Sequence, residues 1–127
     1  MRICAAILLT TVSTGGVAAG RDWRPTGAQI AAVEAKVVMP VGASGPLRSY
    51  ERYYAGDVQH GRRVIRGELL RLTKVPVVPP VLRIVRVAEL PPIADFGCGV
   101  IRFTYDIDRK IVSAAECGFD PGPPPRP

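Results

Sequence analysis

Few residues in this chain could do chemistry, and their spacing narrows what that chemistry could be. Cys98 and Cys117 are the only cysteines outside the N-terminal apolar segment that holds Cys4. They lack Cys-x-x-Cys spacing, so a structural disulfide is a better reading than a redox pair. His60 is the only histidine. Zinc wants three or four nitrogen or sulfur ligands, so His60 in Gln59-His60-Gly61 reads as a polar turn residue, and no metal or cofactor is expected. A Ser-His-Asp site would have to draw on Ser44, Ser49 or Ser113, none of which sits in a nucleophile elbow. Asp106-x-Asp108 lacks the further oxygen ligands that calcium requires and reads as turn chemistry. Asp95-Phe96-Gly97 spells a kinase magnesium motif, but the chain has no glycine-rich loop or catalytic loop to accompany it. No catalytic residue is assigned.

One cluster has the composition of a recognition surface. Tyr50, Arg52, Tyr53 and Tyr54 precede Arg62, Arg63 and Arg66, and tyrosine with arginine favours interfaces and anionic or stacked ligands. Tyr50, Arg52, Tyr54, Arg63 and Arg66 are therefore the candidate binding surface. The competing reading, which the small size of the chain favours, has the tyrosines filling the core and the arginines solvated. Glu51, Asp57 and Glu68 are the carboxylates that a concave sheet could turn to catalysis.

The chain has 127 residues, a formal charge of +6, 47 % hydrophobic and 22 % charged residues. These values fit one folded domain and argue against wholesale disorder. The basic balance admits acidic glycans, lipids or nucleic acid as partners. Arginine greatly outnumbers lysine, asparagine is absent and Ala, Gly, Pro and Val abound, a skew that genome composition explains more simply. Met1-Arg2, the apolar run Ile3 to Leu9 and the ending Val17-Ala18-Ala19 have the layout of a secretory signal, cut after Ala19. A periplasmic or secreted address follows, where Cys98 and Cys117 would be oxidised. No later stretch has the length and apolarity of a membrane span.

The elements that must position these residues are a helix and several strands. Residues 20–25 read as a leader and 26–119 as a single domain. Thr26 and Gln29 form a capping box, and Ile30, Val33 and Val37 follow at helical spacing until Pro40 stops the run. Strands are expected over 48–55, 62–72, 82–87, 97–105 and 110–118, with a turn over 56–61 and a bulge at Gly67. Residues 120–127 read as a proline-rich disordered tail. Short connections favour antiparallel neighbours. The expected fold is α+β: one N-terminal helix packed on a four- to five-stranded antiparallel sheet, a two-layer sandwich.

The terminal hairpin admits a sharper expectation. A loop over Asp106–Arg109, or the strained pair Ile107-Asp108 alone, pairs residues whose numbers total 215. Cys98 then lies opposite Cys117, within disulfide reach. Alternation places Ile101, Phe103, Val112 and Ala114 on the helix side and both cysteines on the other face.

The segment Tyr50 to Ala55 (Tyr-Glu-Arg-Tyr-Tyr-Ala), the strand Arg62 to Gly67 (Arg-Arg-Val-Ile-Arg-Gly) and a cysteine hairpin around Tyr105-Asp106 resemble small uncharacterised exported proteins of Gram-negative bacteria. The resemblance spans most of 26–119 and implies a periplasmic address without specifying chemistry. Three functional readings stand. The first is a non-catalytic binding protein whose partner is a periplasmic protein or an anionic envelope component. The second is a small enzyme with a carboxylate in a concave pocket. The third is an electrostatic binder of lipid, glycan or nucleic acid.

Overall fold

A computed structural model describes residues 23–73, 75–76, 78–93 and 97–118. The signal segment, the start of the leader, Asp95-Phe96 and the proline-rich tail lie outside the described residues. The architecture is α+β, with one α-helix on an open, mixed sheet among the described residues.

Helix α1 runs Gly27–Glu34. Thr26 Oγ1 accepts the Gln29 amide and the Gln29 side chain accepts the Thr26 amide, so the capping box is present. The helix ends sooner than its apolar spacing suggests. Lys36 N–H closes a tighter turn on the Val33 carbonyl, ahead of β-branched Val37-Val38 and of Pro40, which disfavours helix at the residue before it. Val37 still packs against the core from beyond the helix.

Strands β1 (Glu51–Gln59) and β2 (Arg62–Leu70) form a nine-residue hairpin closed by His60-Gly61. Both turn residues have positive φ, 52° and 73°, as a two-residue turn matched to strand twist requires. The expected turn over 56–61 is corrected: Gly56 and Asp57 are strand residues. Trp23 lies across Gly56, where a side-chain carbon would stand 2.0 Å from the Trp23 carbonyl oxygen. Gly67 marks no bulge either, since its register is continuous with both neighbouring strands. The Phe103 ring occupies the space its missing side chain leaves.

Strand β3 (Leu82–Val85) pairs parallel to β1, and β4 (Val100–Asp106) antiparallel to β2. Two-residue strands β5 (Ile111–Val112) and β6 (Glu116–Cys117) both pair with β4. The order is β3-β1-β2-β4-β5, with β6 further along β4. The all-antiparallel expectation fails at β3. The connection over 71–81 is long enough to pass the end of β1 and dock on its far side, and 86–99 then returns across the sheet to β4.

The register at the C-terminal end also differs from expectation. The loop is Ile107–Lys110, because Asp106 Oδ1 accepts the amides of Asp108 and Arg109, each at 3.0 Å, and so must precede the turn. Between β5 and β6 the outer chain carries one extra residue. It is accommodated where Ser113 Oγ accepts the Thr104 amide at 2.8 Å. The disulfide Cys98–Cys117 is present, with Cα atoms 4.4 Å apart. Cys98, however, stands in the 3-10 turn Gly97–Gly99, and Cys117 is opposite Ile101. The placement of both cysteines away from the face of Phe103 is therefore corrected. Ala115, not Ala114, packs on the core.

The core lies between α1 and the sheet: Ile30 and Val33 meet Tyr50, Tyr54, Ile65, Leu69, Ile101, Phe103 and Tyr105.

Candidate functional site

Strand alternation divides the Tyr/Arg cluster rather than assembling it. Tyr50, Arg52 and Tyr54 are buried under the helix. Tyr50 Oη donates to the Cys98 carbonyl and accepts the Ser44 amide. Glu34 reaches down from the helix, and its carboxylate accepts from Arg52 Nη1 at 2.6–2.7 Å and from Tyr54 Oη at 2.7 Å. Burial first, and then the bond to Glu34, push the Tyr54 phenol far above its ordinary range, so it stays a donor. These three residues offer a partner no surface. Arg63 stacks its guanidinium 4.1 Å from the centre of the Trp23 ring, on the helix side of the sheet. Only Arg66, of the five proposed surface residues, belongs to the opposite, open face.

That face is organised in cross-strand rows. One row runs Arg83, Tyr53, Glu68, Arg102 and Glu116 across five strands. The next places Val85, Ala55, Arg66 and Thr104 side by side, and the one after that holds Asp57, Val64, Asp106 and Ile111. Opposite charges as cross-strand neighbours stabilise a sheet modestly and hold the side chains in register.

Within these rows the arginines pair with carboxylates. Arg102 Nη2 stands 3.4 Å from Glu68 Oε1, and it also donates to the Ile93 carbonyl of the returning connection. Arg66 Nη1 stands 3.7 Å from Asp57 Oδ2. Glu68 is the buried member, its side chain 4 % exposed, whereas those of Arg66 and Arg102 are each 37 % exposed. Burial pushes the Glu68 carboxyl above its ordinary value despite the opposing pull of Arg102. Asp106 is shifted the other way by the amide of Arg109 and by Arg62, 3.3 Å away. Burial, and then the bond to Glu51, raise the Tyr53 phenol.

A cleft of 510 Å³ opens over this lattice, walled by Arg66, Arg102, Thr104, Ser113 and Glu116, with Leu90 at its margin. Its size is that of a small-molecule site. A second hollow of 560 Å³ continues past Gln59 and Ser113 toward His60 and Asp106. His60 is an exposed turn residue on that rim, and among the described residues no group of three or more His, Cys, Asp or Glu could hold a metal. Glu51, Asp57 and Glu68 share the open face, each with a partner of its own: the Tyr53 hydroxyl for Glu51, Arg66 for Asp57 and Arg102 for Glu68. Glu68 and Asp57 are two rows apart, about 13 Å along the strands, beyond the separations at which two carboxylates share one bond.

Arg102, Thr104, Ser113 and Glu116 were not in the binding surface that the sequence suggested, and Ser113 was considered only as a nucleophile. Arg102 and Thr104 alternate with Ile101, Phe103 and Tyr105, so an outward face was readable there. Ser113 was expected on this face and is on it, opposite Thr104, whereas the register that brings Glu116 there depends on the extra residue. Comparison with known proteins finds no matching family model, curated protein or solved structure.

Proposed function

We propose that this chain is an exported, non-catalytic binding protein whose ligand rests in the cleft of the open sheet face. The observation that carries this reading is the pair Arg66 and Arg102, half-exposed and ion-paired with Asp57 and Glu68 where a cleft opens above them. Arg102, held by Glu68 and the Ile93 carbonyl, is a pre-organised donor that loses little freedom when a ligand arrives, and Asp57 draws Arg66 to the same side. The enzymatic alternative is less well supported, because Glu68 is held by Arg102, 3.4 Å away, rather than left to act on a substrate. A purely electrostatic surface is less well supported too, because each arginine of the cleft stands beside an acid.

The experiment is site-specific photo-crosslinking in cells. A photoreactive residue at Gln59, on the cleft rim, should give an adduct of defined mass, and one at Arg48, on the helix side, should not. Equal labelling at both positions, or none at Gln59, would overturn the reading. The exported address rests on Met1 to Ala19 and on the disulfide. It is tested by the N-terminus of the protein recovered from the envelope: a start at Gly20 is expected, and a start at Met1 counts against it.

A further inference from the structure

The cleft carries a loosely paired cation, Arg66, and an acid without an ion pair among the described residues, Glu116. Arg66 has Asp57 as its charged neighbour at 3.7 Å, too far for a hydrogen bond, so its N–H donors are open to the cleft. Across from it stands Glu116. It is the register partner of Arg102, yet Arg102 is engaged by Glu68 and the Ile93 carbonyl, and Glu116 has no ion pair among the described residues. Between them lie two hydroxyls, those of Thr104 and Ser113. The Ser113 oxygen accepts the Thr104 amide, which leaves its own proton to donate elsewhere.

The charge around the cleft decides which ligand suits it. Arg66 and Arg102 stand against Asp57, Glu68 and Glu116, two cations against three carboxylates. A multiply charged anion such as phosphate would enter a region with no positive surplus, whereas a ligand carrying both signs would complete both walls. We infer that the cleft takes a small zwitterion, an amino acid or short peptide, with its carboxylate on Arg66 and Arg102 and its ammonium on Glu116. This rests on the open face being the binding surface.

The test titrates the isotope-labelled, disulfide-intact chain with dialanine, acetate, methylammonium and inorganic phosphate, following the amide resonances of Thr104 and Ser113. Dialanine should move them, while acetate and methylammonium should each need about tenfold more ligand, the scale of one charge-assisted contact. Arg66→Gln should weaken dialanine and acetate alike. Glu116→Gln should weaken dialanine about tenfold and leave acetate unchanged. Both positions are solvent-accessible, so both variants should keep the native amide spectrum. Phosphate binding more tightly than dialanine, or no effect of Glu116→Gln, would overturn the zwitterion while leaving the cleft as the site. Silence from all four probes would overturn the cleft itself.

Discussion

Glu34 is the carboxylate whose loss the fold should tolerate least. It neutralises Arg52, whose guanidinium is buried and whose Nε has no hydrogen-bond partner among the described residues. Glu34→Ala would leave that cation uncompensated in the interior, and should cost about 3–5 kcal/mol in urea denaturation. Tyr54→Phe removes one hydrogen bond to the same carboxylate and should cost about 1 kcal/mol. Equal costs would mean that packing, rather than charge, sets the value of the triad. Glu68 titrates in the opposite sense from an ordinary paired carboxylate. Burial holds its folded value above that of an ordinary carboxylate despite Arg102, so the folded chain holds the proton more tightly than the unfolded one. The stability this contributes is complete at low pH and is lost as pH rises through the raised value. The stability difference between wild type and Glu68→Gln should therefore fall as pH climbs from about 4 toward 7. A difference that is flat or rises would show that Arg102 outweighs burial.

Gly67 and Phe103 form a matched pair between neighbouring elements. A side-chain carbon at Gly67 would stand 2.3 Å from two atoms of the Phe103 ring, so Gly67→Ala should cost about 1–3 kcal/mol by overpacking. Phe103→Ala should cost about 3–5 kcal/mol, and in its background Gly67→Ala should become nearly neutral. That non-additivity, read from urea midpoints, is the signature of direct contact. The same pair explains which elements could be read from the residues. The capping box at Thr26 and the alternation in β4 are local, and both appear as expected. Gly56 and Gly67 resemble turn and bulge signals, but they serve close approach by Trp23 and Phe103, which no neighbouring residue announces. Arg52 and Tyr54 alternate with Tyr53, so a strand implied that they share a face. Which face was buried depended on the helix bringing Glu34 to them. The parallel pairing of β3 could not be read, because composition marks a strand without naming its partner.

At the scale of the molecule, five of the arginines have their charge met by an acid. Among the described residues, Arg52, Arg62, Arg66, Arg86 and Arg102 each stand in an ion pair, so these five add little to the salt dependence that counterion release at a basic surface would give. What closes the architecture is the bridge at its C-terminal edge. Strand β6 has only two residues, too few to hold itself against β4. Beside the bridge, the Gly118 amide donates to the carbonyls of Gly97 and Val100. The bridge joins residues 19 apart, and in the chain-entropy account closing a loop of that length contributes about 3 kcal/mol. Cys98→Ser/Cys117→Ser should lose roughly that stability. Beyond that global loss, β6 should open by itself, because local opening follows the weakest contacts. Amide exchange at positions 116–118 should then accelerate beyond that of Phe103 and Tyr105, which β2 holds from the other side of β4, and Glu116 should leave the cleft wall with them. Uniform acceleration across β4 and β6 would mean that the bridge stabilises only through the unfolded chain, and that the cleft keeps its shape without it.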